Sequence, residues 1–428
     1  MGARKRTGWR VLAVMLALAL VAAACGDDDS GGDTTAAPAT TTTQATTTTT
    51  TSGDTTSTTA AAEGLAPGTY TFGFVAITSG AVAFAGVPHE NGLKLAVDEI
   101  NASGFLGDGV TMEFLIEDAG GDQPTAIAIT DGYVANDDVL GIVCCALSSV
   151  AGAIQPNMEA AGIPWVDHAA IAPTITDPAN AFRSFPLSQP STGQIAQAAI
   201  DAFQPTKVAL AVTADNDGMQ SDLKANTDVI EAAGVEILDI VETFAEDTDL
   251  SGPATQVIAL DPDVVFLAQL GNVEALMIQE LRDRGYDGPI VANLAIATQE
   301  TFEQVGDTLA GTILPLAFFR GTPSPLVEEF VTKYEGKYDI DADIFAAQGW
   351  QVAWYLARAL KEGGEGTREA VLEGLRGIDT METVFGTLTW DDRGEPSVEK
   401  FTFVQWSADG ELVLWDGTAE GLLPNINQ

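Results

Sequence analysis

Two adjacent serines, Ser148-Ser149, stand between an apolar run and a stretch of helical character. At such a strand-to-helix junction the first backbone N–H groups of the helix have no partner within it, and its dipole is positive there. The place suits a carboxylate or another hydrogen-bond acceptor. A serine that only caps the helix is the plainer use of the same residues. Other chemistry-bearing types are sparse. The two histidines, His89 and His168, are too few and too far apart in sequence for a zinc motif. Asp167-His168 is the one local acid–histidine pair, but neighbours on a strand point to opposite faces, which disfavours a nucleophile with its base. His168 fits a cleft rim or a hinge. Neither catalysis nor a metal or cofactor is expected. Cys144-Cys145 could close a vicinal disulfide, a strained link that requires an oxidising compartment. Two small apolar side chains filling a strand end are the simpler reading.

The elements that would position these residues alternate along the chain. A strand over 69–77 leads through Thr78-Ser79-Gly80 to a helix over 90–101. Strands over 110–117 and 139–144 are each followed by a helix, over 124–136 and 150–161, and short strands at 164–167 and 182–185 close this half. The pattern restarts with helices over 192–203, 219–233 and 273–284 among strands over 207–212, 235–241, 263–268 and 289–292. Strands alternating with helices imply parallel sheets covered on both faces. Two such runs give an α/β fold of two doubly wound lobes, in keeping with a body too long for one compact core.

The N-terminus has its own chemistry. Arg4, Lys5, Arg6 and Arg10 precede an apolar run over 11–21, which closes on Ala22-Ala23-Ala24-Cys25. That order is a secretory signal peptide, and the run is too short for a permanent membrane span. The small residues directly before Cys25 resemble the lipobox of bacterial lipoproteins, with Ala22 where that family prefers leucine. The resemblance implies a signal over 1–24 and lipidation of Cys25. An ordinary signal with a chance cysteine is the alternative. Residues 25–66 are Thr-rich and without apolar periodicity, so they cannot bury enough surface to offset chain entropy. About 40 residues of flexible coil span roughly 35 Å, a spacer between lipid and body. The net charge of −42 leaves no basic stripe for phosphates, so nucleic acid is excluded as a partner.

Glu90-Asn91-Gly92-Leu93-Lys94-Leu95-Ala96-Val97-Asp98-Glu99-Ile100-Asn101 is similar to the first-helix signature of the leucine/isoleucine/valine-binding family of ABC-transporter solute receptors. The order of Phe114-Leu115-Ile116-Glu117-Asp118, Ala160-Ala161-Gly162-Ile163-Pro164 and Phe385-Gly386-Thr387-Leu388-Thr389-Trp390-Asp391 matches that family too. The resemblance implies a type I periplasmic-binding-protein fold, with two α/β lobes joined by three crossing strands. The lobes become 67–188 and 189–313, with a return to the first over 314–384. Residues 385–428 form the hinge return and the C-terminal part of the second lobe. Helices over 325–338 and 344–361 then add to the first lobe, and strands over 386–390 and 400–406 cross back. Partners implied are a small solute, ABC permease subunits and the outer face of the membrane.

The resemblance also places a ligand-binding set. Ser148, beside Ser149, matches a serine that holds the ligand carboxylate. Ser79 lies in the first cleft loop, Phe84 matches a cleft-facing aromatic position, and Ala169 matches a backbone contact. A phenylalanine in a loop also packs beneath it in many proteins. Several positions depart from the family. Ile171 stands in place of a threonine, while Asp217 and Leu270 stand in place of two cleft tyrosines. Leu294 stands where the family has the acid that pairs with the ligand's ammonium group. An ammonium buried without a counter-charge costs on the order of several kcal/mol. Either Asp217 supplies the charge or the solute has no α-amino group. A shift of one residue in the second lobe brings Asn293 or Gln269 forward instead. The expected function is an exported solute-binding component of an ABC importer of the branched-chain amino acid class. The alternatives are a sensor module with a separate signalling partner and a binder of a small carboxylate or amide.

Overall fold

Runs of β-branched and aromatic residues make the strands, and the longer stretches between them wind into helices. The computed structural model describes residues 64–80 and 82–428. Cys25, the signal segment and nearly all of the spacer lie outside the described residues. Among those described, no helix is long and apolar enough to cross a membrane.

The first lobe begins with β1 (Gly68–Ala76), α1 (Ala83–Ser103), β2 (Val110–Asp118), α2 (Gln123–Ala135), β3 (Val139–Cys144), α3 (Ser148–Ala161), β4 (Trp165–Asp167) and β5 (Ala181–Arg183). The second comprises α4 (Ser188–Phe203), β6 (Lys207–Thr213), α5 (Asp217–Ala232), β7 (Glu236–Thr243), α6 (Ser251–Ala259), β8 (Val264–Ala268), α7 (Gly271–Asp283), β9 (Ile290–Val291), α8 (Gln299–Val305) and β10 (Thr312–Leu316). The chain then adds α9 (Pro325–Tyr338), α10 (Ile344–Gly363), α11 (Arg368–Arg376), β11 (Thr380–Thr383), β12 (Gly386–Trp390) and β13 (Pro396–Ser397). It ends with β14 (Thr402–Trp406) and β15 (Leu412–Leu414). One sheet is parallel, in the order β2-β1-β3-β4-β5. The other runs β15-β14-β10-β9-β8-β6-β7, parallel from β10 to β7 and antiparallel at β14 and β15.

α10 lies across α1. A Cβ on Gly92 or Gly349 would collide with the backbone of the facing helix, at Ala346 and His89 respectively, so only glycine allows this approach. The crossing matters because both helices begin at the cleft. α1 starts at Ala83, earlier than the expected 90, with Pro88 inside it. A proline so close to a helical pattern reads as a boundary, which is why Phe84 was expected in a loop. It stands in the first turn of α1.

The link between the lobes also differs in detail. The chain crosses three times, after β5, β10 and β13, through segments without regular strand structure. β12 pairs with β11 and β13 in a small sheet of their own. The Trp390 ring stacks on Tyr355 of α10 at 4.7 Å, and its indole N–H donates to the Arg183 carbonyl at 2.8 Å. Residues 386–397 therefore stay with the first lobe, and the last crossing falls after Ser397 rather than at 385.

Two further expectations change. Cys144 and Cys145, buried at the end of β3, are joined by a vicinal disulfide across a cis peptide bond, so they are not merely packed thiols. His168 is buried rather than on a rim. Its ring lies 4.5 Å from that of His89 and 5.2 Å from that of Phe74. Burial lowers both imidazoles, His89 to about 4. The fold thus brings together two histidines that are distant in sequence. Among the described residues no cluster of three or more His, Cys, Asp or Glu is placed to hold a metal.

Candidate ligand-binding site

A cavity of about 50 Å³ lies between the lobes. Its walls are the residues that follow the carboxyl ends of parallel strands: Ser148 after β3, Ala169 and Ile171 after β4, Asn216 after β6, Leu270 after β8 and Asn293 after β9. Open α/β sheets place ligands at this edge. A larger opening of about 1320 Å³, lined by residues such as Phe385, Lys400 and Trp415, lies away from the strand ends, along the crossing segments and the outer strands of the second sheet.

The first lobe supplies a fixed hydroxyl. Ser148 Oγ accepts hydrogen bonds from the N–H groups of Ile171, at 3.2 Å, and Ala172, at 3.1 Å. A hydroxyl has two acceptor lone pairs and one hydrogen. With both lone pairs engaged, its hydrogen is the function left for the cavity, so Ser148 is matched to an acceptor on a solute. No side-chain hydrogen bond caps α3, so Ser148 is not the helix cap that its position allowed.

The loop carrying Ala169–Ala172 is tied down from behind. Asp167 Oδ1 accepts from the N–H groups of Cys145, Ala169 and Ala170. Arg183, fully buried, pairs with Asp167 and with Glu395 and donates to the carbonyls of Ala170 and Ala172. A backbone contact of Ala169 with a ligand was expected; its N–H is directed to Asp167 at 3.3 Å. On the same side Phe84 packs edge-on to Phe345, with centroids 5.8 Å apart. Such a pair contributes about 0.5–1.5 kcal/mol beyond its buried area. Phe345 is fixed by the start of α10, where Asp343 caps the helix by accepting from the Ala346 N–H at 2.7 Å.

The second lobe closes the other side. Asn216 caps α5 by accepting from the Met219 N–H at 3.1 Å. Asn293 donates to the Gln269 carbonyl and accepts from the Ala295 N–H, both at 2.7 Å. Leu270, Leu294 and Met219 make this wall apolar, and Asp222 is the one ionisable side chain in the lining. The lobes touch through two glycines. A Cβ on Gly218 would lie 2.6 Å from both Ile171 Cγ1 and Ser148 Oγ, and one on Gly271 would lie 2.6 Å from the Phe84 ring. Both distances are shorter than carbon–carbon contact allows, so the cleft is closed down on its cavity.

Of the residues read from the sequence, Phe84, Ser148, Ala169, Ile171, Leu270 and Leu294 line this cavity. Ser79, Ser149 and Asp217 lie outside the lining. Ser79 is exposed, and its hydroxyl serves the Asp118 carboxylate. Ser149 is half-buried one residue beyond the wall, and Asp217 is exposed in the first turn of α5. Met219, Asp222 and Phe345 were not foreseen. The signal for Asp222 was present, since Met219, Asp222, Asn226 and Ile230 form the buried stripe of α5 at helical spacing, and an acid in such a stripe is not there for packing.

Two lobes, strand-end walls and a closed interlobe cavity define a protein that captures a small solute by domain closure. The periplasmic binding protein family profile matches residues 69–411, and the chain belongs to that family. The Leu/Ile/Val-binding protein BraC3 of Rhizobium johnstonii is 26% identical over 356 residues, covering 82% of this chain and 94% of its own. Two solved structures resemble the fold at a TM-score of 0.74. One is LivJ of Streptococcus pneumoniae in complex with isoleucine, 23% identical over 81% of this chain and 100% of its own. The other is an ABC-transporter solute-binding protein of R. palustris in complex with benzoate, 20% identical over 84% of this chain and 98% of its own.

Proposed function

We propose that this chain is the extracytoplasmic solute-binding component of an ABC importer of the branched-chain amino acid class, held at the outer face of the cell membrane by lipid on Cys25. The observation that carries the reading is the interlobe cavity, where Ser148 has both lone pairs engaged and its hydrogen left to donate, among apolar side chains from both lobes. This combination suits a small carboxylate with an apolar body. Closure around the solute then makes the surface that the permease subunits recognise, without covalent chemistry. Native mass spectrometry of the protein purified under non-denaturing conditions tests this reading. A bound species of amino-acid mass supports it, and a persistently empty protein that takes up none of the branched-chain amino acids refutes it. A second reading, capture of a monocarboxylate without an amine, is favoured by Leu294, which puts an apolar side chain in the lining where the family has its ammonium partner.

A further inference from the structure

The cavity wall holds one carboxylate with an oxygen left without a donor. Asp222, on α5, lines the cavity and is 1% exposed. Its Oδ1 accepts from the Ser188 hydroxyl at 2.8 Å, and its Oδ2 has no hydrogen-bond partner. The Thr192 hydroxyl sits nearby and eases the charged form, short of a formed hydrogen bond. No lysine or arginine lines the cavity. Behind it Glu274, fully buried in the first turn of α7, accepts from the Asn293 N–H at 3.1 Å with Oε1 and leaves Oε2 without a partner. Burial raises both carboxyls, and the Asp222 charge adds to the rise at Glu274. A buried acceptor left unpaired is costly, and Asp222 lines the cavity, where a solute can bring a donor.

Its position relative to Ser148 sets the chemistry. Gly218 presses on Ser148 Oγ, and Asp222 is one helical turn further along α5, about 6 Å away on the same face. The cavity therefore offers a hydroxyl hydrogen from the first lobe and, one turn off, an unpaired carboxylate from the second. A zwitterion presents the matching pair of charges.

We propose that Asp222 is the acidic anchor of this site. It pairs with a protonated amine on the solute and so restores from α5 the charge that Leu294 lacks. This inference rests on the solute-binding reading above and narrows the solute to an amine-bearing carboxylate. Asp217, the acid that stands in place of a cleft tyrosine of the family, is exposed and outside the lining.

The test is calorimetric titration of the full-length purified protein with L-leucine and with 4-methylpentanoate, which keeps the carbon skeleton and carboxylate and lacks the amine. Leucine is expected to bind the wild type at least 30-fold more tightly than 4-methylpentanoate. Asp222→Asn is expected to weaken leucine by about 30-fold or more while leaving 4-methylpentanoate unchanged or improved. The comparison of the two probes on the wild type needs no variant, and the melting temperature of the unliganded variant checks its fold. Leucine binding that Asp222→Asn leaves intact, or 4-methylpentanoate binding as tightly as leucine, overturns the anchor and leaves solute capture standing. Failure of both probes on a folded wild type overturns the anchor together with the amino-acid reading.

Discussion

Gly218→Ala adds one methyl group at the place where the second lobe presses on the first. The new Cβ would lie 2.6 Å from Ile171 Cγ1 and Ser148 Oγ across the cleft, and 3.1 Å from Asn216 Oδ1 in its own lobe. Ser148 Oγ cannot retreat without losing the two N–H groups it accepts from, and Ile171 is buried. Overpacking of this kind costs about 1–3 kcal/mol, and the two shortest contacts, across the cleft, make most of it fall on the closed arrangement. Within α5 the exchange is neutral to favourable, because alanine has the higher helix propensity. If solute binds the closed form, the penalty passes directly into apparent affinity, a weakening of about 5- to 150-fold. Titration calorimetry of wild type and variant with the same solute measures it, and the melting temperature of the unliganded protein serves as control. An unchanged affinity would refute the claim that the lobes meet at Gly218 when solute is held. A drop in the unliganded melting temperature would show that the methyl group harms the lobe itself rather than closure. Gly271→Ala is a poorer probe, since its Cβ would also strike the Ala295 carbonyl within the same lobe.

Three further predictions follow from the buried polar groups. Arg183→Leu strands the Asp167 and Glu395 carboxylates and should lower stability by about 3–5 kcal/mol, read by guanidinium unfolding; a loss below 1 kcal/mol would mean that the ion network contributes little. Ser148→Ala leaves the Ile171 and Ala172 N–H groups without their acceptor, at about 1–3 kcal/mol for each buried donor, and should weaken carboxylate-bearing solutes. Equal affinity in the variant would exclude Ser148 as a contact. Asp222 gives a pH signature: burial outweighs the Ser188 and Thr192 hydroxyls and pushes its carboxyl up to about 7. A carboxyl raised on folding contributes stability that is complete below its ordinary pKa near 3.8 and is lost as pH rises through about 7. Asp222→Asn removes that loss and relieves Glu274, which faces it. The melting temperature of the variant relative to wild type should therefore climb from about pH 4 to pH 7 and then level, and a flat difference would contradict the buried carboxyl.

The alternation of strands and helices was legible because each period is local: β-branched runs of five to nine residues and helical stripes between them. Ser148 in the first-lobe wall of the cavity was legible because it follows a strand end that the sequence marks clearly, and Ala169 through the family resemblance. What was not legible depends on contacts between distant segments. Pro88 masked the start of α1 and so the helical setting of Phe84. The pairing of β12 with β11 and β13, which keeps 386–397 on the first lobe, has no signature in the hydrophobic pattern. Asp222 was missed because the resemblance points to Asp217, in place of a cleft tyrosine, five residues earlier and on the exposed side of the same helix. A helix turns about 100° per residue, so neighbouring acids on α5 face different surroundings.

On the reading proposed above, the two lobes close on a small amino acid held between Ser148 and Asp222. Calorimetric titration of the purified protein with L-leucine, L-isoleucine and L-valine tests it most directly. One-site binding at micromolar affinity or better is expected for at least one of them, weakened about 30-fold or more in Asp222→Asn. No heat and no thermal stabilisation with any of the three, on a protein that melts cooperatively, would contradict it.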